Sequence, residues 1–419
     1  MTTARALTGS VRDTDFDVIV VGAGLVGSAL ALGLAQQGWQ VALVEGDTRA
    51  SVLAEPPPAR DVSDFEPRVS ALSLASEALL TALGAWSGVL AGRHCRYQDM
   101  VVWDGDGTGR IHFSAGDLQA PALGTLVENR HIVRALWHGL LGCRTLTLLD
   151  GVQVAGWSSS QGLTLADGRR LTARLVVGAD GAHSRLRQWA GLPTREWDYD
   201  QDAIVCTVRT VHPHRMTAWQ RFSATGPLAF LPLVSEQGDD RFCSIVWSQD
   251  TDAARRLMAL PDEAFQCELE RAFEYTLGPV EAVSRRFAFP LRQRHAKDYV
   301  ADGLALVGDA AHTIHPLAGQ GANLGYGDVG VLLDELARAR ELGLSPADPL
   351  LLARYQRRRK GENLAMMATM EGFKQLFARD ELPVRWLRNA GLRWLDRLGP
   401  LKHRLAAEAM GLGSPWIPR

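Results

Sequence analysis

The chain has 419 residues, 46% of them hydrophobic and 22% charged, with a formal net charge of −2. This composition is that of a globular protein of two or three lobes, and so small a net charge gives no general reason to expect nucleic acid as a partner. Five cysteines lie far apart without a C-x-x-C pair, which argues against a disulfide framework and a zinc site. The N-terminus is too polar for a signal peptide, and glycines interrupt the apolar run 18–35, so we expect no transmembrane segment.

The first motif predicts a nucleotide-binding βαβ unit near the N-terminus. A β-branched strand at 18–21 leads into the glycine-rich turn Gly22-x-Gly24-x-x-Gly27. An apolar helical pattern follows to Gln37, with Gly38 as its stop, and a second strand at 41–44 ends at the acid Glu45. In such a unit Gly22 makes the tight turn, Gly24 lets a pyrophosphate contact the backbone, and Gly27 packs the helix on the strand. Glu45 is placed to accept hydrogen bonds from a ribose diol, which favours FAD or NAD over NADP.

Two further apolar strands each end in glycine and aspartate. One, within 174–192, ends in a Gly-x-Asp-Gly sequence that contains Asp180, and the other, within 303–312, ends in Gly308 and Asp309. A short carboxylate at a strand end can accept hydrogen bonds from cofactor hydroxyl groups. The three motifs, in this order and at these distances, resemble the flavin monooxygenases of the para-hydroxybenzoate hydroxylase type. The resemblance implies that Asp309 binds the ribityl chain of FAD and that the Asp180 motif contacts both FAD and the nicotinamide nucleotide.

The stretch 307–325, VGDAAHTIHPLAGQGANLG, places glycines around a proline just before a helix. Helix interiors disfavour glycine, so we expect something to approach this backbone closely. We expect the flavin ring to lie there, with the helix that starts near Gly321 directing its free N–H groups at N1 and the C2 carbonyl, where reduced flavin carries negative charge. The cofactor contacts expected in this stretch are Gly308, Asp309, Pro316, Gly319, Gly321, Ala322 and Asn323.

The histidines of the same stretch, His312 and His315, raise the question of a metal site. They lie at a Gly/Pro-rich turn and lack a carboxylate-bearing ligand pattern. We therefore favour a turn-forming or flavin-proximal packing role for both, and we expect no metal.

A narrower resemblance, to the FAD-dependent hydroxylases of ubiquinone biosynthesis, covers nearly the whole chain. Their H-P-L-A-G-Q-G-x-N-L-G signature is present at 315–325, and the C-terminal segments MEGFKQLF, LRNAGL and AMGL also fit. The segment EPRVSALS implies that Arg68 approaches the flavin, and VENRHIVRALW implies that Asn129 lies near the ribityl chain. One departure is Gly327, where members of the family often carry a bulky or charged residue.

The resemblance implies an FAD-dependent aromatic-ring monooxygenase that hydroxylates a polyprenylated phenol or quinol with O2, through a flavin C4a-hydroperoxide, with NAD(P)H as the expected transient reductant. The C-terminal stretch is most similar to the VisC-type 2-polyprenylphenol 6-hydroxylase branch, and the demethoxyubiquinol hydroxylase step of the same pathway is the alternative. Three other classes stay open: a non-catalytic flavin-bound scaffold of the biosynthetic complex, a flavin reductase of isoprenoid double bonds, and an NAD dehydrogenase. The sequence shows no obvious general base, so no residue is identified as catalytic.

The predicted fold class is α/β, with a Rossmann-like FAD-binding domain, a mixed-sheet substrate domain and a helical C-terminal region. The expected bounds are 16–95, 125–192 and 293–345 for the first, 96–124 and 193–292 for the second, and 346–419 for the third. The proline-rich segment 54–67 is expected to be a mobile connector. Strands are predicted within 202–211, 226–236 and 241–249. Most rings of the aromatic-rich substrate sheet are expected in its core, and an apolar tunnel for a prenyl chain would be lined by this sheet and by 286–291.

The segment 382–412 has a basic amphipathic pattern with tryptophans, which could contact a lipid surface. Packing of its apolar stripe on the FAD-binding domain or on a partner subunit is the favoured interpretation. We therefore expect a cytoplasmic protein, with peripheral contact to the inner membrane and membership of a biosynthetic complex as further candidates.

Overall fold

The computed structural model describes residues 15–105, 107–313 and 321–378. Its strands, in chain order, are β1 (Asp15–Val21), β2 (Val41–Val44), β3 (Val69–Leu72), β4 (His94–Tyr97), β5 (Asp99–Asp104), β6 (Arg110–Ser114), β7 (Gly124–Glu128), β8 (Leu146–Leu149), β9 (Val154–Ser158), β10 (Gly162–Leu165), β11 (Arg170–Gly178), β12 (Thr194–Thr210), β13 (Thr217–Ser223), β14 (Gly226–Leu233), β15 (Phe242–Asp250), β16 (Val280–Val283), β17 (Phe287–Ala296), β18 (Val300–Ala301), β19 (Leu304–Leu306) and β20 (His312–Thr313). Its α-helices are α1 (Leu25–Gln36), α2 (Arg49–Val52), α3 (Leu74–Ala82), α4 (Trp86–Leu90), α5 (Asn129–Leu141), α6 (Arg185–Trp189), α7 (Thr251–Met258), α8 (Asp262–Ala272), α9 (Gly321–Glu341) and α10 (Pro349–Ala378). Within the described residues, none of the helices combines the length and the apolar composition that crossing a bilayer requires.

The first sheet has the strand order β18-β19-β11-β1-β2-β8, with β9 and β10 attached through β11. Its central strands are parallel and carry continuous buried apolar runs, as expected when helices cover both faces of a sheet. Val21 is paired with Gly178, and Gly178 with Leu306. The carboxyl ends of β1, β11 and β19 therefore meet at one edge, which brings together the three glycine-containing motifs that follow these strands.

The second, larger sheet has the order β20-β17-β12-β15-β14-β13-β5-β6, with β16 beside β12. Most of its pairs are antiparallel, whereas β5 and β13 run parallel, so the predicted mixed sheet is confirmed. Helices α7 and α8 cover one face, where Phe230 and Trp247 are buried. The opposite face packs against a small sheet with the order β3-β7-β4.

The three predicted strands of this sheet are present as β12, β14 and β15, and β12 extends further toward the N-terminus than expected. Five aromatic side chains lie in the segment between Thr217 and Asp250. Four of them are buried, namely Phe222, Phe230, Phe242 and Trp247, and Trp219 is half-buried. The prediction that most of them belong to the sheet core is confirmed. The domain bounds inferred from the sequence stay predictions.

The segment 54–67, expected to be a mobile connector, is instead packed against the large sheet. Val62 and Phe65 are buried in an apolar cluster with Phe242. The guanidinium of Arg93 donates to the carbonyl oxygens of Pro57, at 2.7 Å, and Asp64, at 3.2 Å. Buried apolar contacts and a buried donor hold this segment, and neither is visible in its proline-rich composition.

Within the described residues, the chain after 348 forms α10 (Pro349–Ala378), as predicted, and α10 packs against α9. The remainder of the predicted C-terminal region, including 382–412, lies outside the described residues.

Candidate flavin site

The turn after β1 has the geometry that the glycine spacing predicts. Gly22 has φ +97, and a Cβ there would lie 2.4 Å from the carbonyl oxygen of Ala179. A Cβ at Gly27 would lie 1.8 Å from the carbonyl oxygen of Gly22, so this glycine allows α1 to pack on the turn. A Cβ at Gly24 would meet nothing within 4 Å, so the backbone there faces open space. That opening is the place where the predicted pyrophosphate contact would be made.

Glu45 lies beside this turn and is held there by backbone donors. Its Oε2 accepts from the N–H of Ala23 at 2.5 Å, and its Oε1 accepts from the N–H of Asp47 at 3.0 Å. A carboxylate can accept about four hydrogen bonds. Glu45 therefore retains acceptor capacity for a ribose diol, the role that the sequence predicts for it.

Asp180 follows β11 and caps α6. Its Oδ2 accepts from the N–H groups of Arg185, at 2.8 Å, and Leu186, at 3.3 Å. Its Oδ1 is buried and, among the described residues, has no hydrogen-bond partner. Buried acceptors are normally paired, so this oxygen fits a site that a hydrogen-bond donor of a bound molecule completes.

Arg187, which sequence analysis did not single out, joins two of the motifs. Its buried guanidinium donates to the carbonyl oxygens of Ala182, at 2.9 Å, and Ala310, at 2.7 Å. Burial lowers the pKa of Arg187, and the nearby Arg294 lowers it further. The loop after β11 and the loop after β19 are thus held at a fixed separation by one cation.

Asp309 lines a recess at the carboxyl end of β19. Solvent reaches its side chain, yet the surrounding protein reduces hydration enough to raise the pKa of its carboxyl group. The charges of His312 and Arg68 oppose that rise, and the charge of Asp328 adds to it. A carboxylate that is reached by solvent from one side and surrounded on the others suits a ligand-binding position.

Arg68 is exposed and lies within electrostatic range of Asp309 and of Glu66. No salt bridge joins it to another of the described residues, so the surface ion pair that would explain it without a ligand is not formed there. Its carbonyl oxygen accepts from the N–H of Asn129 at 2.9 Å, which places the two predicted cofactor contacts side by side. The Asn129 Oδ1 accepts from the Ser70 hydroxyl at 2.7 Å.

Glu128, directly before Asn129, fixes this corner of the site. It is buried and accepts from Arg93 at 2.8 Å and from His131 at 3.1 Å. Burial opposes its ionisation, but the hydrogen bonds from His131 and Arg93 outweigh burial and lower the pKa of Glu128 to about 2. The anion also accepts from the N–H of Glu66, so it holds the segment that carries Arg68.

Asp328, on α9, clamps both ends of the loop that carries Asp309. Its Oδ2 accepts from the N–H of Gly308 at 2.8 Å and is 2.6 Å from Nε2 of His312. Gly308 has φ +58, a left-handed conformation that favours glycine. Burial opposes the ionisation of Asp328, but His312 and Arg359 outweigh burial and lower its pKa to about 2.

The role of Asp328 was not predicted from the sequence, although a signal for it was present. An acid on the buried face of a helix, here four residues before the fully buried Leu332, is unusual unless it is paired. The predicted packing role of His312 is met by its burial and by this pairing.

The same carboxylate is linked to a buried polar chain on α10. Its Oδ1 accepts from Arg359 Nε at 2.8 Å and from Asn363 Nδ2 at 3.3 Å. Asn363 Nδ2 also contacts the hydroxyl of Tyr299 at 3.2 Å. The departure at Gly327 has its physical reason here, because a Cβ there would lie 2.8 Å from Nη2 of Arg359. The guanidinium occupies the space that a larger residue would need.

Asn323, predicted to contact the cofactor, uses its side chain to hold α9 against β3 and α3. Its Oδ1 accepts from the N–H of Ser73 at 2.9 Å and from the hydroxyl of Ser76 at 2.7 Å. Its Nδ2 donates to the carbonyl oxygen of Ala71 at 2.8 Å. The side chain therefore sets the position of the first turn of α9.

The glycines of the stretch 307–325 divide into two roles. A Cβ at Gly325 would lie 2.5 Å from Cγ2 of Val26, so this glycine serves the packing of α9 on α1 rather than the approach of a flavin. A Cβ at Gly321 would meet nothing within 4 Å. Ala322 is half-buried against the core of the first sheet. Three residues considered in the sequence lie outside the described residues: His315, Pro316 and Gly319.

The site thus combines a bare backbone turn, the recessed carboxylate of Asp309, a buried oxygen of Asp180 without a hydrogen-bond partner and the exposed Arg68 without a salt bridge, the last two judged among the described residues. These features fit a large molecule that has phosphates, hydroxyl groups and a polar ring. Across 15–105, 107–313 and 321–378, no group of three or more His, Cys, Asp or Glu side chains is placed to hold a metal ion.

Comparison with known proteins gives consistent matches. Residues 156–369 match the family model described as "FAD binding domain". The chain is 41% identical to the 3-demethoxyubiquinol 3-hydroxylase of Escherichia coli, over 94% of this chain and 98% of that protein. It is 40% identical to the ubiquinone hydroxylase UbiL of Rhodospirillum rubrum, over 97% and 91% of the two chains. The human ubiquinone biosynthesis monooxygenase COQ6 is 31% identical, over 97% and 94%.

Two solved structures show the same fold. PqsL of Pseudomonas aeruginosa, described as a probable FAD-dependent monooxygenase, has a TM-score of 0.73 at 24% identity, over 90% of this chain and 99% of that one. The p-nitrophenol 4-monooxygenase PnpA of Pseudomonas putida has a TM-score of 0.76 at 18% identity, over 95% and 99%.

Proposed function

The chain belongs to the FAD-dependent hydroxylases of ubiquinone biosynthesis, and we propose that it hydroxylates the ring of a demethoxyubiquinol-type polyprenyl quinol with O2, using NAD(P)H as reductant. The observation that carries this proposal is the 41% identity to a 3-demethoxyubiquinol 3-hydroxylase over 94% of the chain. That identity favours the step that the sequence placed second, rather than 2-polyprenylphenol 6-hydroxylation.

The residues at the strand ends would hold FAD as follows. The backbone at Gly24 would meet the pyrophosphate and Glu45 the adenosine ribose. Asp309 and Asn129 would bind the ribityl chain, with Asp309 kept in place by the clamp at Asp328. Main-chain N–H groups at the start of α9 would face the polar edge of the ring and favour its anionic form.

When bound, FAD supplies the activation of O2 that ring hydroxylation needs. The chain's own residues must then hold the quinol ring beside the cofactor and keep water out. The face of the large sheet that packs on β3, β7 and β4 is apolar, with Leu231, Met100 and Phe113 among its members. The same cluster includes Leu74, next to Ser73, whose N–H bonds Asn323 of α9. This apolar cluster between the two sheets therefore extends from the large sheet to the segment that holds the start of α9, where the ring edge of FAD would lie.

The experiment is turnover of purified holoenzyme with two substrates, a short-chain demethoxyubiquinol and a short-chain 2-polyprenylphenol. We expect NAD(P)H consumption to rise with the quinol, with one labelled oxygen atom from O2 entering the ring. Preferred hydroxylation of the phenol would instead support the 2-polyprenylphenol 6-hydroxylase step. Bound FAD with no hydroxylation of either ring, also when reduced chemically, would refute a catalytic role and favour the scaffold interpretation.

Three expectations rest on the sequence alone. Contact of 382–412 with a membrane concerns a segment outside the described residues. Membership of a biosynthetic complex and the cytoplasmic location likewise remain predictions.

A further inference from the structure

Gln220 is a polar residue in the middle of an apolar sheet surface. It lies on β13, paired with Ala229 of β14 on one side and with Val102 of β5 on the other. Ala218 and Ala229 belong to the apolar cluster between the large and the small sheet. Because alternate residues of a strand share a face, Gln220 lies on that same face and not on the one covered by α7 and α8.

The side chain of Gln220 is largely buried, and its amide has no hydrogen-bond partner among the described residues. The residue is 8% exposed, and within the described parts of the chain its side chain makes no hydrogen bond. The two other buried glutamines of this sheet are paired, since Gln201 donates to the Thr225 carbonyl oxygen at 3.0 Å and Gln249 to the Thr225 hydroxyl at 3.1 Å. Its amide atoms are not fully enclosed, so water reaches them, and a ligand that displaces this water must supply the hydrogen bonds that the water made.

A row of side chains leads away from Gln220 across the neighbouring strands. Ala229 is paired with Val246, Val246 with Val205, and Val205 with Phe287. Val246, Val205 and Phe287 are half-buried, although β12 and β15 are central strands of the sheet. Solvent therefore reaches Phe287, Val205 and Val246, which lead to the buried Ala229 and to Gln220; this apolar row, with Gln220 at one end, is called the trough here.

We propose that Gln220 binds a ring hydroxyl of the substrate and so sets the orientation of the ring on this trough. The inference rests on the proposed function, because it takes a quinol as the substrate. The amide suits a hydroxyl, since Oε1 can accept its proton while Nε2–H donates to its oxygen. The apolar trough suits the ring face and the prenyl chain. Once a ring covers the amide, a ligand without the matching hydroxyl leaves it buried and unpaired, so the amide discriminates against that ligand.

The test compares two ligands on the holoenzyme, titrated without O2 while the flavin absorbance is followed. One is the short-chain quinol and the other is its dimethyl ether, which keeps the ring and loses the hydroxyl protons. We expect wild type to prefer the quinol, and Gln220→Leu to weaken quinol binding about tenfold. Ether binding should change little, which also reports that the trough is intact.

Gln249→Leu is the matched control, because it removes a buried glutamine from the opposite face of the same sheet. It should leave the preference for the quinol unchanged. Gln220→Met, of similar shape, replaces Gln220→Leu if the latter fails to fold. A Gln220 variant that keeps the wild-type preference, or a Gln249 variant that loses it equally, overturns the inference.

Turnover of wild type is measured separately, so the proposed function and the role of Gln220 are tested independently. Wild type that binds the quinol but hydroxylates no ring refutes the proposed function. Gln220 variants that bind and hydroxylate the quinol with unchanged KM refute the role of Gln220 alone.

Discussion

Replacing Asp328 with asparagine should weaken both the fold around the site and the affinity for FAD. The carboxylate accepts from donors on both sides, Gly308 and His312 at Oδ2, and Arg359 and Asn363 at Oδ1. Asparagine offers one acceptor and one donor atom, so one pair of donors loses its partner in either orientation. Removing one partner of a buried ion pair costs about 3–5 kcal/mol. The remaining contact of Arg359 with Glu362 should place the effect at the lower end of that range.

The same change loosens the loop that carries Asp309, so we expect FAD to bind about tenfold more weakly, the effect of one lost hydrogen bond. Urea unfolding of the apoprotein gives the stability change, and titration of the apoprotein with FAD, followed by flavin fluorescence, gives the affinity. Asp334→Asn is the control, because Asp334 lies on the same helix and pairs with Arg358 of α10 at 3.2 Å in a partly exposed position. It should change the free energy of unfolding by less than about 1 kcal/mol and leave FAD affinity unchanged. Equal behaviour of the two variants would show that the clamp has no role in holding the cofactor loop.

Glu45→Ala should weaken FAD binding by about 1–3 kcal/mol through the lost ribose contact, and an unchanged dissociation constant would remove Glu45 from the site. Asp309→Ala should give a folded protein that purifies largely free of flavin, whereas a yellow, fully active variant would contradict the ribityl assignment. Arg68→Ala should raise the fraction of NAD(P)H that ends as hydrogen peroxide or lower FAD occupancy, with the melting temperature preserved; wild-type coupling and occupancy would assign Arg68 to the surface. The folded protein should also lose stability as the pH falls from 6.5 to about 4, because burial lowers the pKa of His295 to about 4 and the unfolded chain takes up that proton first. The slope of the free energy of unfolding against pH from this one group is at most about 1.4 kcal/mol per pH unit. It should be smaller in His295→Gln when unfolding is measured across that pH range. Equal slopes in the two proteins would exclude His295 as the source.

The sequence by itself determined the nucleotide-binding unit and its place in the fold. The turn at Gly22 and the helix packing at Gly27 depend on residues a few positions apart, so their spacing records the backbone geometry directly. The end of the first helix at Gly38 is local in the same way, since Gly38 has φ +82 and its N–H bonds the carbonyl oxygen of Ala35. Apolar strands ending in glycine and aspartate likewise identified the sheet edge where the motifs meet.

Only the tertiary structure decided which side chains hold the parts of the site together. Asp328 contacts His312 and Arg359, which lie on two other segments of the chain. Arg187 donates to the carbonyl oxygen of Ala310, 123 positions away in the sequence. Gly325 leaves room for Val26 on another helix, and the residues next to Gly325 in the sequence do not indicate this packing.

The same limit applies to Gln220, whose surroundings are apolar only because β5 and β14 flank its strand. Local periodicity determines which residues of a strand share a face, but not what that face meets. The partners of a buried polar group are chosen by long-range packing, so they became visible only when the sheets and helices were in place.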